Sequence, residues 1–148
     1  MELPTKLADI LEMLELVPDR AERIQLLIDL ASRFEEVPPR IARRPFPPEH
    51  QVPACESQAY VWSESRADGS LDFHFAVENP QGVSAKALAV ILDEGVSGAP
   101  LDQVAALPQD LVYRVFGREL SMGKSMGLMG MVSMVANTAK QRLSAHPG

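Results

Sequence analysis

The sequence predicts an α+β fold, a small antiparallel sheet with N-terminal and C-terminal helices packed on it. Three observations carry this. Apolar residues recur at helical spacing near both ends of the chain. Between them, Leu71-Asp72-Phe73-His74-Phe75-Ala76-Val77 alternates at the period of a strand. In front of that strand, Asp68-Gly69 marks a tight turn joining it to an earlier strand. The resulting order, ααββαααα, separates a hairpin from its helices, as α+β folds do.

The elements follow from local signals. Leu7, Ile10, Leu11 and Leu14 form the apolar stripe of a first helix, with Thr5 as its N-cap and Pro18 as its stop. Asp19 and Glu22 have the spacing of a capping box that opens a second helix. Its expected core stripe is Ile24, Leu27, Ile28, Ala31 and Phe34, ended by Pro38-Pro39. A long proline-rich loop leads to strands over 57–63 and 71–78, expected to be covered on one face only. Ser84 is placed as the cap of a third helix that ends at Gly95 as a C′ glycine. Pro100 suits the first position of a short helix through Leu107. Asp110 suits the N-cap of another, through Phe116 and closed by Gly117. The last helix is expected over 125–143, with Leu128, Val132, Val135, Ala139 and Leu143 inward. Its methionines, Met126, Met129, Met131 and Met134, are read as core filling rather than an adaptable binding surface.

Composition restricts the function classes. A chain of 148 residues suits one domain over 1–148, and its 46% hydrophobic and 23% charged content is that of a soluble globular protein. No apolar run reaches the length of a membrane span, and the N-terminus lacks the pattern of a signal peptide. One cysteine forms no internal disulfide, which fits a reducing cytoplasm. A net charge of −6 argues against nucleic acid as the main partner. The nine glycines make neither a P-loop nor a dinucleotide fingerprint. His50, His74 and His146 lack zinc-ligand spacing, and Asp93-Glu94 is read as a solvated helix end.

Cys55 is the chemical candidate. It ends the run from Arg40 to Ala54, which carries Arg40, Arg43, Arg44 and His50 among prolines that keep it out of a helix. Positive charge near an accessible thiol favours the nucleophilic thiolate, and His50 lies close enough in sequence to form a Cys–His pair. Inert packing is the alternative.

Val52-Pro53-Ala54-Cys55-Glu56-Ser57-Gln58-Ala59-Tyr60-Val61 resembles the Val-x-Gly-Cys-x-Ser-x-Val-Trp signature of the SufE/CsdE family, the sulfur-acceptor proteins of iron–sulfur cluster assembly. Val83-Ser84-Ala85-Lys86-Ala87-Leu88 is similar to the family's stretch entering its middle helix. Leu120-Ser121-Met122-Gly123-Lys124-Ser125-Met126-Gly127-Leu128 is similar to the Leu-Ser/Thr-Pro-Ser-Arg-x-x-Gly-Leu segment before its last helix. Ala54 stands where the family has glycine, Ala59 and Tyr60 where it has Val and Trp, and Met122, Gly123 and Lys124 where it has Pro, Ser and Arg. The resemblance implies a SufE/IscU-like fold and a mobile Cys55 loop that takes persulfide sulfur from a SufS/CsdA-like cysteine desulfurase. It further implies stimulation of that enzyme, delivery of sulfur to an iron–sulfur scaffold complex, and no cofactor of its own. Lys124, at the family's arginine, becomes a candidate stabiliser of the Cys55 thiolate or persulfide. Two alternatives stay open: a desulfurase-binding regulator without sulfur relay, and a thiol hydrolase using Cys55 and His50.

Overall fold

The alternating segment forms a strand because a pleated backbone sends Leu71, Phe73, Phe75 and Val77 to one side, where all four are buried. It is β2, Leu71–Val77, paired antiparallel with β1, Ala59–Ser65, in a register running from Ala59 opposite Val77 to Ser65 opposite Leu71. The turn between them is held by Arg66 N–H to Ser70 C=O (2.8 Å) and by Asp68 Oδ1, which accepts from both Ser70 N–H and Ser70 Oγ. Gly69 there has φ +90°. The strand β1 starts two residues later than expected, because Gln58 N–H bonds Cys55 C=O in a turn. This is a computed structural model, and it describes residues 2–118 and 120–145. His146, one of the histidines weighed above, lies outside the described residues, as do Met1 and Glu119.

The helices are α1 (Thr5–Glu15), α2 (Arg20–Ala31), α3 (Val83–Val96), α4 (Leu101–Ala105), α5 (Leu111–Phe116) and α6 (Met122–Ala145). The helix α3 is apolar around most of its circumference, with Ala85, Leu88, Ile91 and Leu92 all fully buried. A helix of that kind must be enclosed, and α3 is packed against α1, α2, β2 and α6. Gly95 lies inside this helix rather than beyond its end: a Cβ at that position would stand 3.0 Å from Leu7 Cα, so the glycine serves the close crossing of α1. Ser84 is likewise within the helix, and Gly82 occupies the cap position without a side-chain bond.

The starts of several helices differ from the expected ones by a residue or more. Thr5 is the first residue of α1, with Pro4 at the cap, and Pro100 caps α4. Asp110 caps α5 as expected, though without a side-chain bond. Asp19 caps α2 as expected, accepting from Glu22 N–H at 3.0 Å. Gly117 closes α5 with φ +84°. The helix α6 begins at Met122 because Ser121 Oγ accepts from Lys124 N–H (3.2 Å), a cap that places Lys124 in the first turn. Of its expected stripe, Leu128, Val132, Val135 and Ala139 are buried, while Leu143 is exposed. Met131 fills the core and Met129 and Met134 pack at its margin, but Met122 and Met126 are exposed.

Two larger corrections concern faces. The helix α2 is rotated from its expected orientation: Leu30 and Ala31 are buried and Leu26 and Leu27 packed on the core, while Ile24 and Ile28 are exposed. The rotation brings the Arg23 guanidinium onto the carbonyls of Arg114 and Val115 at the end of α5, where a cation complements the helix dipole. The sheet, expected to be bare on one side, is covered on both. Its second face holds Tyr60, Trp62 and Ala76 beneath Val37 and Phe46, with Ile41 and Ala42 at the edge. Phe46 stands 5.1 Å from both the Tyr60 and Trp62 rings, contacts worth about 0.5–1.5 kcal/mol each beyond the buried area. The proline-rich segment is thus a lid on the sheet.

Arg40 and Arg44 hold that lid by its rim, pairing with Glu64 and Glu36. Hydrogen bonds from Arg40 and then His74 bring the Glu64 pKa down from 4.5 to about 2. A carboxylate with a depressed folded-state pKa stabilises the fold above its unfolded pKa and loses that contribution as pH falls. Glu64→Gln is therefore expected to lower the urea midpoint at neutral pH. The gap to the wild type should close as pH falls from 4.5 to about 2, the interval between the two pKa values. A gap that persists unchanged to the acid end would show that the pair does not act through ionisation.

Candidate functional site

Residues 53–58 leave the sheet as a short excursion whose ends are tied. Val52 N–H bonds Ala59 C=O (2.8 Å) on one side, and Glu78 N–H bonds Gln58 C=O (3.1 Å) on the other. Cys55 sits near its tip. To make so tight a path, Ala54 and Gln58 adopt left-handed backbone, with φ +57° and +53°. For an L-residue that conformation costs about 1–2 kcal/mol, so surrounding contacts must hold it in place. The glycine-to-alanine departure read from the sequence therefore falls on a strained residue.

Those contacts come from the first half of α6. Gly123, Gly127 and Gly130, spaced i, i+4 and i+7, form a face with no side chains against which the loop lies. A Cβ at Gly127 would stand 2.9 Å from Cys55 Cα and 3.3 Å from Cys55 Sγ. Gly123 faces Glu56 in the same way, and Gly130 faces Val52 and Pro53. From the other side Asn79 holds the loop: its N–H bonds Ser57 C=O (3.2 Å), and its side-chain Nδ2 donates to Glu56 C=O (3.3 Å). Asn79 Oδ1 also accepts from Gln81 N–H (2.9 Å), and Asn79 C=O from Gly82 N–H (2.9 Å). One residue thus connects the cysteine loop to the start of α3.

The thiol of Cys55 is half-buried. It lines a hollow of about 230 Å³ closed by Asn79, the first turn of α3 and the first turns of α6. Lys124 lines the same hollow, as does Ser84. The start of α3, without a side-chain cap, adds the positive end of a helix dipole to this wall. A shallower depression on the outer side of Cys55 is formed by Pro48, Gln51 and Ala54. Cys55 and Lys124 thus line the same hollow.

Other expected neighbours are elsewhere. Neither hollow lined by Cys55 includes Arg40, Arg43 or Arg44. Arg40 and Arg44 are engaged with Glu64 and Glu36, and the Arg44 guanidinium lies over the Phe46 ring. The arginine-enriched thiol inferred from chain proximity is therefore corrected: the lid runs along the sheet and carries its cations away from the tip. His50 stacks on Trp62 and its Nδ1 lies 2.9 Å from Val61 C=O, so it is engaged with β1 rather than with the thiol. Among the described residues, no three His, Cys, Asp or Glu side chains cluster to hold a metal ion. The glycine face and Asn79 were missed from sequence. The spacing of Gly123, Gly127 and Gly130 was the available signal, since each glycine inside a helix costs about 1 kcal/mol relative to alanine and needs a reason.

Gly127→Ala tests the seating. Helix propensity alone would stabilise this variant by about 1 kcal/mol. The clash with Cys55 backbone should outweigh that, giving a net loss of about 1–2 kcal/mol together with faster alkylation of Cys55 as the loop is displaced. A stabilised variant with unchanged alkylation would mean that the contact is loose.

The SufE family model, described as an Fe-S metabolism associated domain, matches residues 8–139. The chain is 24% identical over 139 residues to SufE-like protein 1, chloroplastic/mitochondrial, of Arabidopsis thaliana. That alignment takes in 93% of this chain but 36% of the relative, so the chain spans about a third of that protein's length. In three dimensions it is similar to a hypothetical protein from Thermus thermophilus, solved in solution, with a TM-score of 0.76 and 23% identity over 97% of this chain and 99% of that one. That likeness shows a shared fold. With the family model covering nearly the whole described chain, the protein belongs to the SufE family and has a role in Fe–S metabolism.

Proposed function

We propose that this protein is a sulfur acceptor and carrier that takes persulfide sulfur onto Cys55 from a pyridoxal-phosphate cysteine desulfurase. On this reading it stimulates that enzyme and hands the sulfur on to iron–sulfur cluster assembly, acting as an accessory protein rather than an enzyme in its own right. The observation that carries the proposal is the seat of the only cysteine: half-buried at a loop tip, open to a polar hollow that also contains Lys124. The carboxylate lining that hollow, Glu56, has no hydrogen-bonding partner to orient it as a base among the described residues, so the arrangement suits a thiol that reacts when a partner brings the reagent.

The transfer balances without an external oxidant or reductant. Cys55 thiolate attacks the terminal sulfur of the desulfurase persulfide, the Cys55 Sγ–S bond forms, and the enzyme's S–S bond breaks. The desulfurase cysteine leaves as thiolate. Rate then depends on thiolate fraction, nucleophilicity and access. Lys124 and the open start of α3 both favour negative charge in the hollow, whether it rests on Sγ or on the terminal sulfur.

Incubation with a desulfurase and cysteine, followed by intact-mass and peptide analysis, is expected to show one added sulfur on Cys55. Cys55→Ser, nearly isosteric, should fold normally but accept none and lose most of the stimulation. Full stimulation by the Ser variant would replace this proposal with a docking regulator that relays no sulfur.

Lys124 is the proposed stabiliser of that charge. Lys124→Ala should slow Cys55 alkylation near neutral pH by about threefold, the scale of one exposed charge at close range, and slow sulfur acceptance in parallel. Lys124→Arg should retain both rates, since the fork presents two donors to a sulfur anion. Equal rates in all three proteins would reduce the site to Cys55 and its loop.

A further inference from the structure

Two hollows give access to the Cys55 thiol, and Glu56 lines both. The outer depression is otherwise lined by Pro48, Gln51, Val52, Pro53 and Ala54, so Glu56 is its only charged residue among those described. The inner hollow adds one cation, Lys124, and no second carboxylate. Chain proximity suggested arginines around this thiol, but Arg40 and Arg44 are held elsewhere by Glu64 and Glu36. A carboxylate stands there instead. Whichever hollow a reagent enters, it passes Glu56.

The position of that side chain is built into the fold. Gly123, in the first turn of α6, leaves room for it: a Cβ there would stand 2.9 Å from Glu56 Oε1. The carboxylate therefore rests against the start of the longest helix, where the dipole favours negative charge. The backbone on either side of it is tied. Asn79 Nδ2 donates to Glu56 C=O (3.3 Å), and Gln58 N–H donates to Cys55 C=O (3.1 Å). Among the described residues the Glu56 carboxylate makes no ion pair, Lys124 included. Its charge is left to act on whatever approaches the neighbouring thiol.

We propose that Glu56 is a specificity-determining residue for Cys55, a charge filter that slows anionic small thiols and thiol reagents at Sγ. A protein donor can bring a lysine or arginine of its own to meet Glu56 as it docks, and a free anionic thiol cannot. The filter acts on the bare thiol; its use with bound sulfur rests on the sulfur-acceptor proposal. A small thiolate would otherwise strip the loaded carrier. It attacks the terminal sulfur, a new S–S bond forms, the Cys55 Sγ–S bond breaks, and Cys55 is left as thiolate. An attacking anion passes within a Debye length of Glu56, about 10 Å at 0.1 M salt, so its repulsion is felt.

The test compares three methanethiosulfonates that differ in charge: the sulfonatoethyl (anionic), trimethylammonioethyl (cationic) and methyl (neutral) reagents. In each, the Cys55 thiolate attacks the sulfenyl sulfur, a mixed disulfide forms and methanesulfinate leaves, so intact mass against time gives the rate. Glu56→Gln is expected to speed the anionic reagent and slow the cationic one, each by about threefold, the scale of one exposed charge at close range. The neutral reagent reports any displacement of the loop or change in thiolate fraction, and both charged rates are read relative to it. Glu56→Asp, which keeps the charge, should keep the wild-type ratio of cationic to anionic rates. In 1 M sodium chloride, where the Debye length falls to about 3 Å, the wild-type ratio should approach that of Glu56→Gln. The same ratio in wild type and Glu56→Gln at low salt, or an Asp variant that behaves as Gln, overturns the proposal. No desulfurase takes part, so failure of Cys55 to accept sulfur would leave these rates unchanged and is told apart from failure of the filter.

Discussion

A helix with apolar side chains nearly all round cannot rest on a surface, and enclosing α3 organises this protein. The helices α1 and α2, the inner face of β2 and the long α6 are its walls. Small residues set how near those walls come: Gly95 admits the backbone of α1 at Leu7, and Ala85, Ala87 and Ala89 keep the helix thin. The burial of its larger members, at about 1.5–3 kcal/mol each for Leu88, Ile91 and Leu92, is what fixes α3 in space. Fixing α3 also fixes its first turn, and through Asn79 that turn fixes the cysteine loop. The cysteine tip is positioned by the core at one remove.

What could be read from the sequence was whatever one residue or one period decides alone. The alternation of β2, the Asp19 cap, the Gly117 stop and the inward face of most of α6 are such cases. The face of α2 was not, because Ile24, Leu26, Leu27, Ile28 and Leu30 surround the helix with apolar choices and a distant carbonyl at Val115 helps decide among them. The second cover of the sheet was hidden for a related reason: a proline-rich run has no period, so nothing announces that Phe46 will land on Tyr60 and Trp62. At the site, Cys55 was singled out by its place in the chain and Lys124 through the family motif, and both line one hollow. Gly123, Gly127 and Gly130 were not, since a glycine's meaning lies in which backbone passes over it. The arginines misled because closeness along the chain was taken for closeness in space.

The lid divides its labour between faces. Its exposed arginine pairs, with Glu64 and Glu36, lie where salt and solvent screen such bridges and leave each of them weak. The buried Phe46, with Val37 beneath the same segment, carries more. High salt should therefore loosen the rim before it lifts the lid.

Ala54 has a consequence of its own. Its left-handed backbone is uphill by about 1–2 kcal/mol for any residue with a Cβ, and it persists only while the loop is pressed against the glycine face of α6. Lifting the loop lets that residue fall back into ordinary geometry, and the energy returned offsets part of what is lost by leaving α6. The seated loop is thus a cocked latch. A partner that draws Cys55 outward would be helped by the chain it is pulling on, to a degree that a glycine at this position would not provide.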